Sequence, residues 1–215
     1  MKLVIFDLDG TVLNTIGDLA AACNHILKEE NLPQFGIDEY RYFVGQGVSR
    51  LVERIIPPHL RTDAYIRQMK AAFLEYYEAH IFENTTPYEG IPELLRTLTD
   101  MNIKIAVASN KYRQGVVFLL EHFFKDIDFT AMMGTSDLVP TKPNPTMVYE
   151  ILKLARVTPD EAIYVGDTNT DMITARNAGI AHSVGVTWGF RTREELVSAG
   201  AWQIVDKPEE ILSLL

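Results

Sequence analysis

Hydrophobic and polar positions along this chain fall into two regimes. The first begins with Leu3-Val4-Ile5-Phe6, four consecutive apolar residues that predict a short buried strand. From about Ile16 to Glu30 the spacing turns helical, with Ile16, Leu19, Ala20, Cys23, Ile26 and Leu27 on one face, and Asn31-Leu32-Pro33 ends it. Shorter helices are predicted over 38–43 and 48–56, the second stopped by Pro57-Pro58. A long helix follows over 62–80, with Tyr65, Met69, Ala72, Phe73, Tyr76 and Tyr77 as its expected buried stripe. No strand signal interrupts this block.

The second regime starts near Pro87 and alternates. Helices are predicted over 91–100, 114–122, 144–155, 172–178, 192–198 and 208–215, with Pro92 and Pro145 in the first turns of their helices and Gly179 just past the end of the fourth. Between them, strands are predicted over 103–108, 129–133, 162–165, 181–186 and 203–205. Strand–helix alternation predicts parallel βαβ units and a doubly wound α/β sheet, whose sites form at the carboxyl ends of the strands. The economical arrangement is one α/β core built from 1–14 and 84–215, with an all-helical insertion over 15–83 placed directly after the first strand.

The strand ends carry the chemistry. Asp7 and Asp9 follow the first strand, and Gly10 lets the chain turn away. An extended backbone there would point both carboxylates to one side. Ser109 and Asn110 follow the strand at 103–108, Thr141-Lys142-Pro143 lies in the loop beyond 129–133, and Asp167 follows the strand at 162–165, with Asp171 four residues on. Each feature alone also fits a plain structural role: a turn, a helix cap, a solvated lysine. In a parallel sheet they emerge at one edge together, which makes them a constellation.

Several carboxylates at one edge repel each other unless a cation sits among them. Oxygen-only donors suit a hard ion, Mg²⁺ above all, and no His/Cys cluster points to zinc. The Ser109 hydroxyl, nearby backbone N–H groups and the Lys142 ammonium suit phosphate oxygens. A carboxylate can attack phosphorus, and a second one two residues away can move protons. No Walker-type glycine loop is present.

Composition narrows the partners. The chain has 215 residues, 47% of them hydrophobic, with a formal net charge of -9. A basic face for nucleic acid or for an anionic membrane is therefore not expected. The single cysteine, Cys23, excludes an intrachain disulfide, and a buried thiol is expected there. The chain opens directly on a strand, without a signal-peptide pattern, and no apolar run is long enough to span a bilayer, so a soluble cytoplasmic protein, monomer or homodimer, is expected.

In order and spacing, Asp7-Leu8-Asp9-Gly10-Thr11, Ala108-Ser109-Asn110-Lys111, Lys142-Pro143 and Gly166-Asp167-Thr168-Asn169-Thr170-Asp171 resemble the four motifs of the haloacid dehalogenase superfamily. The resemblance covers the whole chain, and the helical insertion resembles that superfamily's cap. Gly45-Gln46-Gly47 and Val186-Thr187-Trp188-Gly189-Phe190-Arg191 look most like phosphoglycolate phosphatases and their close relatives. The resemblance implies a small phosphorylated metabolite as substrate, with Asp7 as nucleophile and Asp9 as proton carrier. It implies that Ser109 and Asn110 hold the phosphoryl group and that Lys142 neutralises charge. Mg²⁺ would be held by Asp7, the Asp9 carbonyl and Asp167, with Asp171 in support. Haloacid dehalogenases themselves lack the second aspartate and need no metal, so Asp9 favours phosphoryl transfer. Gly45, Gln46, Gly47, Arg50 and Arg191 are candidates for substrate specificity, Arg50 for a substrate carboxylate. Two departures stand out: Thr141 replaces a glycine common before the motif lysine, and Asn14-Thr15 replaces Asp-Ser. The alternatives are a sugar phosphomutase, a pyrophosphatase or a nucleotidase of the same superfamily, and a non-catalytic binding protein that keeps the fold.

Overall fold

The computed structural model describes residues 1–136 and 138–215, which divide into two compact units, Met1–Asn14 with Pro87–Leu215, and Thr15–Thr86. The first is a three-layer α/β structure around a six-stranded parallel sheet of order β5-β4-β1-β6-β7-β8. The strands are β1 (Leu3–Phe6), β4 (Lys104–Tyr112), β5 (Phe129–Thr135), β6 (Ala162–Gly166), β7 (His182–Val186) and β8 (Gln203–Val205). Two short strands, β2 (Leu13–Asn14) and β3 (Thr86–Pro87), form a separate two-stranded sheet.

Strand β1 is fully buried because it is central, with β4 on one side and β6 on the other. Sequence order reverses direction at this strand, and such a switch point opens a crevice at the carboxyl ends of the flanking strands. On one face Leu3 and Ile5 pack with Ala106 and Ala108 of β4, Tyr164 of β6, and Met147, Val148 and Ile151 of α7 (Thr146–Ala155). By the period of two, Val4, Phe6, Val107 and Val165 face the other side, and all are buried. Helices α5 (Ile91–Asp100), α6 (Arg113–Phe123), α8 (Asn169–Asn177) and α9 (Arg193–Ser198) complete this unit.

Several elements differ from expectation. Helix α8 starts at Asn169 rather than Met172, and β5 runs on to Thr135. Strand β4 runs on through Ser109, Asn110 and Lys111 to Tyr112, because Tyr112 still pairs with Thr135 across an irregular register. Helix α7 starts at Thr146, so Pro145 is its N-cap rather than a first-turn residue. The last helix, Pro208–Leu214, is a 3-10 helix.

The second unit contains α1 (Ile16–Glu29), α2 (Ile37–Phe43), α3 (Val48–Ile55), a 3-10 turn at Pro58–Leu60 and α4 (Asp63–His80). Its core gathers Leu19, Cys23 and Leu27, Tyr40, Leu51 and Val52, and Met69, Phe73 and Tyr77. The buried line of α4 is narrower than predicted. Met69, Phe73 and Tyr77 repeat every four residues, Tyr65 and Tyr76 are half-buried, and Ala72 is exposed. Tyr76 is instead one plate of a surface stack, with ring centroids 3.9 Å from His25 and 4.1 Å from His80. Cys23 is a buried thiol, and burial pushes its pKa up. Asp18, in the first turn of α1, accepts from both the backbone N–H and the side chain of Asn84 and of Thr85, at 2.6 to 2.9 Å. The carboxylate thus ties the end of this unit to its beginning.

Candidate active site

The chain leaves β1 by a tight turn. The Asp7 N–H still donates to the Val165 carbonyl (2.8 Å), and the N–H groups of Val12 and Leu13 then converge on the Leu8 carbonyl. Gly10 adopts φ +90, and a Cβ there would lie 2.3 Å from an Asp167 oxygen. Only glycine satisfies both constraints. Leu8 is buried in the core, while Asp7 and Asp9 each meet a buried lysine.

Lys142 is the hub. Its Nζ lies 2.8 Å from Asp7 Oδ1, 2.7 Å from Asp171 Oδ1 and 2.9 Å from the Ala108 carbonyl. Tyr164 lies beside it, its ring centroid 5.9 Å from the ammonium. The lysine is held through its own backbone: the Lys142 N–H donates to Asn110 Oδ1 (2.6 Å), and Asn110 Nδ2 donates to the Lys142 carbonyl (3.2 Å). The Asn110 side chain is therefore engaged with the lysine loop. Ser109, almost fully buried one residue earlier, accepts from the Lys111 N–H at 3.1 Å. Burial alone would push the Lys142 ammonium down, but Asp171 and Asp7 outweigh it and hold the group well above the usual lysine range. Asp7 is pushed well above the carboxylate range by burial and by Asp171 and Asp167, against the pull of Lys142.

Asp167 ends β6 in a cradle. Thr11 Oγ1 donates to its Oδ1 (3.1 Å) and the Phe190 N–H to its Oδ2 (2.7 Å). Trp188 Nε1 donates to the Thr11 carbonyl (3.0 Å), binding the loop after β7 to the first motif. A Cβ on Gly189 would lie 2.2 Å from Asp167 Cβ and 2.4 Å from the Gly10 carbonyl, so that close approach requires glycine. Burial and Asp171 raise Asp167 to about 7, while Phe190, Thr11 and the charge of Arg191 oppose the shift. Arg191 directly follows Phe190, whose N–H holds Asp167.

Among the described residues, Asp7, Asp167 and Asp171 form a buried group whose oxygens lie within 4.8 Å of one another. This oxygen-only set fits a hard divalent cation, which would offset the repulsion that raises Asp7 and Asp167. Both oxygens of Asp171 are engaged, Oδ1 by Lys142 and Oδ2 by the Thr168 N–H (3.0 Å) and hydroxyl (2.7 Å). Asp171 therefore acts on the cluster chiefly by holding Lys142 and capping α8.

Sequence reasoning assigned no role to Lys111. Its Nζ lies 2.9 Å from Asp9 Oδ1, and the residue is only 5% exposed. The available signal was a cationic residue directly after Ser109-Asn110 at a strand end. In the helical unit, Gly45 and Gly47 have φ +108 and +82, and Gln46 Oε1 accepts from Arg54 Nη2 (2.5 Å). Arg54 Nη1 also donates to the Phe43 carbonyl (2.8 Å), so this overlooked arginine organises the loop. Arg50 is largely exposed and pairs with Glu53.

Known proteins resemble the whole of this chain. The model of the haloacid dehalogenase-like hydrolases matches residues 4–185. A phosphoglycolate phosphatase from Pseudomonas putida is 32% identical over 216 residues, covering 98% of this chain and 78% of the relative. One from Haemophilus influenzae is 30% identical over 220 residues, covering 100% and 98%. A crystal structure of a provisionally assigned phosphoglycolate phosphatase from Lactobacillus delbrueckii subsp. bulgaricus superposes with a TM-score of 0.92 at 32% identity, covering 99% of this chain and 97% of that one. With the motif residues gathered at one edge of the sheet and this breadth of match, the chain belongs to the haloacid dehalogenase-like hydrolase family.

Proposed function

We propose that this hydrolase is a Mg²⁺-dependent phosphatase that cleaves a small phosphorylated metabolite, phosphoglycolate-like, by way of an aspartyl-phosphate on Asp7. The observation that carries the reading is the pairing of two carboxylates with two buried lysines at one strand end, Asp7 with Lys142 and Asp9 with Lys111. An Asp7 oxygen attacks phosphorus while the bond to the leaving oxygen breaks, and Asp9 gives that oxygen its proton. Water then attacks the phosphorus of the aspartyl-phosphate, Asp9 takes up its proton, and the Asp7 carboxylate and inorganic phosphate are released. Lys142 offsets the charge shared by Asp7 and the phosphoryl oxygens, and the Ser109 hydroxyl and the Asn110 main chain hold those oxygens. Asp7 and Asp167, with the Asp9 carbonyl, would hold Mg²⁺, which when bound supplies Lewis-acid charge neutralisation at the phosphoryl group. The helical unit is assigned the role of cap from its place in the chain, and its 45–47 loop that of a specificity element.

The relatives named phosphoglycolate phosphatases support the substrate class. The test is phosphate release from a panel of phosphorylated metabolites, with Asp7→Asn and with chelator. Loss of turnover in both arms, with the variant still folded by circular dichroism, is expected. Equal release by wild type and Asp7→Asn would remove the nucleophile assignment, and turnover unaffected by chelator would remove the metal.

A further inference from the structure

Two buried lysines serve this site, and their partners differ. Lys142 is bound to the nucleophile Asp7 and to Asp171. Lys111 sits apart from that pair, with its Nζ 2.9 Å from Asp9 Oδ1. Lysines are almost never buried to this degree unless paired, and desolvating an ammonium is expensive. Orienting Asp9 would need only a neutral hydroxyl or amide donor. A cation this close to the proton carrier is also placed near the leaving group that Asp9 serves.

We infer that Lys111 is a specificity-determining residue whose ammonium recognises a carboxylate on the leaving group, so that the preferred substrates are phosphate esters of short hydroxy acids. The inference rests on the phosphatase reading above. Asp9 must come within about 3 Å of the leaving oxygen to protonate it. Lys111 Nζ, 2.9 Å from an Asp9 oxygen, is then within roughly 6 Å of that leaving oxygen. In an ester of a two-carbon hydroxy acid the carboxylate is attached to the carbon that bears the leaving oxygen. Bond lengths of about 1.5 Å put its oxygens roughly 3 Å from the leaving oxygen, within reach of the same ammonium. An ammonium carries three donors, so it can serve Asp9 and a substrate carboxylate together. Electrostatics point the same way. Asp7, Asp9, Asp167 and Asp171 crowd this strand edge, and a substrate carboxylate arriving beside Asp9 would be repelled without a cation there. Arg50, the residue the sequence offered for this task, is exposed and pairs with Glu53.

The test compares two esters that differ at one group: phosphoglycolate and ethylene glycol monophosphate, which carries a neutral hydroxymethyl in place of the carboxylate. Steady-state kinetics are measured on full-length wild type, Lys111→Gln and Lys111→Arg with Mg²⁺ present, and thermal melts check folding. Wild type is expected to prefer phosphoglycolate in kcat/KM. In Lys111→Gln that preference is expected to fall by about 10–100-fold, the scale of one hydrogen bond to a charged group, mainly through KM for phosphoglycolate. Lys111→Arg, which keeps the charge, should restore much of it. Equal losses on both esters would show that Lys111 only positions Asp9 and would overturn the proposal, as would a wild type indifferent to the carboxylate. Failure of wild type to release phosphate from any ester would sink the phosphatase reading instead. Calorimetric binding of phosphoglycolate to wild type and Lys111→Gln would then still judge the carboxylate contact, with equal affinities counting against it.

Discussion

Replacing Lys142 with methionine keeps the apolar stem and deletes one charge from the centre of the site. The ammonium is enclosed, with side-chain exposure of 2%, and lies 2.8 Å from Asp7 and 2.7 Å from Asp171. Removing it strands two buried carboxylates, a loss of about 3–5 kcal/mol. The Ala108 carbonyl also loses a donor at 2.9 Å, worth about 1 kcal/mol. For a chain of this size each kcal/mol moves the melting temperature by about 2–4 °C, so the midpoint should drop by roughly 8–24 °C. Melts followed by circular dichroism in chelator measure this directly. Mg²⁺ should return part of the loss, because a divalent cation can offset the stranded charge. Phosphate release should fall by at least about 10²–10³-fold, the scale for removing one charge-stabilising donor. A folded variant destabilised by less than about 1 kcal/mol in chelator would refute the claim that Lys142 is the counter-ion of this cluster.

Two further perturbations probe the supports. Gly189→Ala places a methyl 2.2 Å from Asp167 Cβ, so the loop after β7 must lift and withdraw the Phe190 N–H from Asp167. Mg²⁺ affinity by calorimetry should fall about 10–100-fold, as for other groups that orient a metal ligand, and an unchanged affinity would exclude this role. Asp18→Ala strands the backbone N–H groups of Asn84 and Thr85, at roughly 1–3 kcal/mol each. Chemical denaturation should show a loss of about 2–6 kcal/mol, and Asp18→Asn, which keeps one acceptor, should lose less; equal stability of all three proteins would mean the clasp does not hold this unit together.

Much of this molecule was legible from local pattern. The four-residue apolar run at Leu3 implied a strand buried on both faces, since such a strand has no polar alternation. Strand–helix alternation after Pro87 implied the parallel sheet, and a parallel sheet brings Asp7, Ser109, Lys142 and Asp167 to one edge regardless of how far apart they lie in sequence. Misjudgements arose where a neighbour from elsewhere in the chain decides. Ala72 sits on the expected face of α4 but is exposed, because burial there follows a narrow line through Met69, Phe73 and Tyr77 rather than a broad stripe. Strand β4 outruns its apolar pattern because Tyr112 finds Thr135 on β5.

The sequence by itself determined the fold class, the edge at which the chemistry gathers and the residue types present there, since periodicity and chain order carry that information. Only the tertiary structure decided who partners whom. Asn110 clamps the backbone of Lys142, 32 residues away, instead of presenting its amide to a substrate. Asp171 spends its oxygens on Lys142 and Thr168. Lys111, which looked like the tail of a motif, stands beside Asp9. Partnership depends on distances set by packing among distant segments, and burial then converts those distances into charge states.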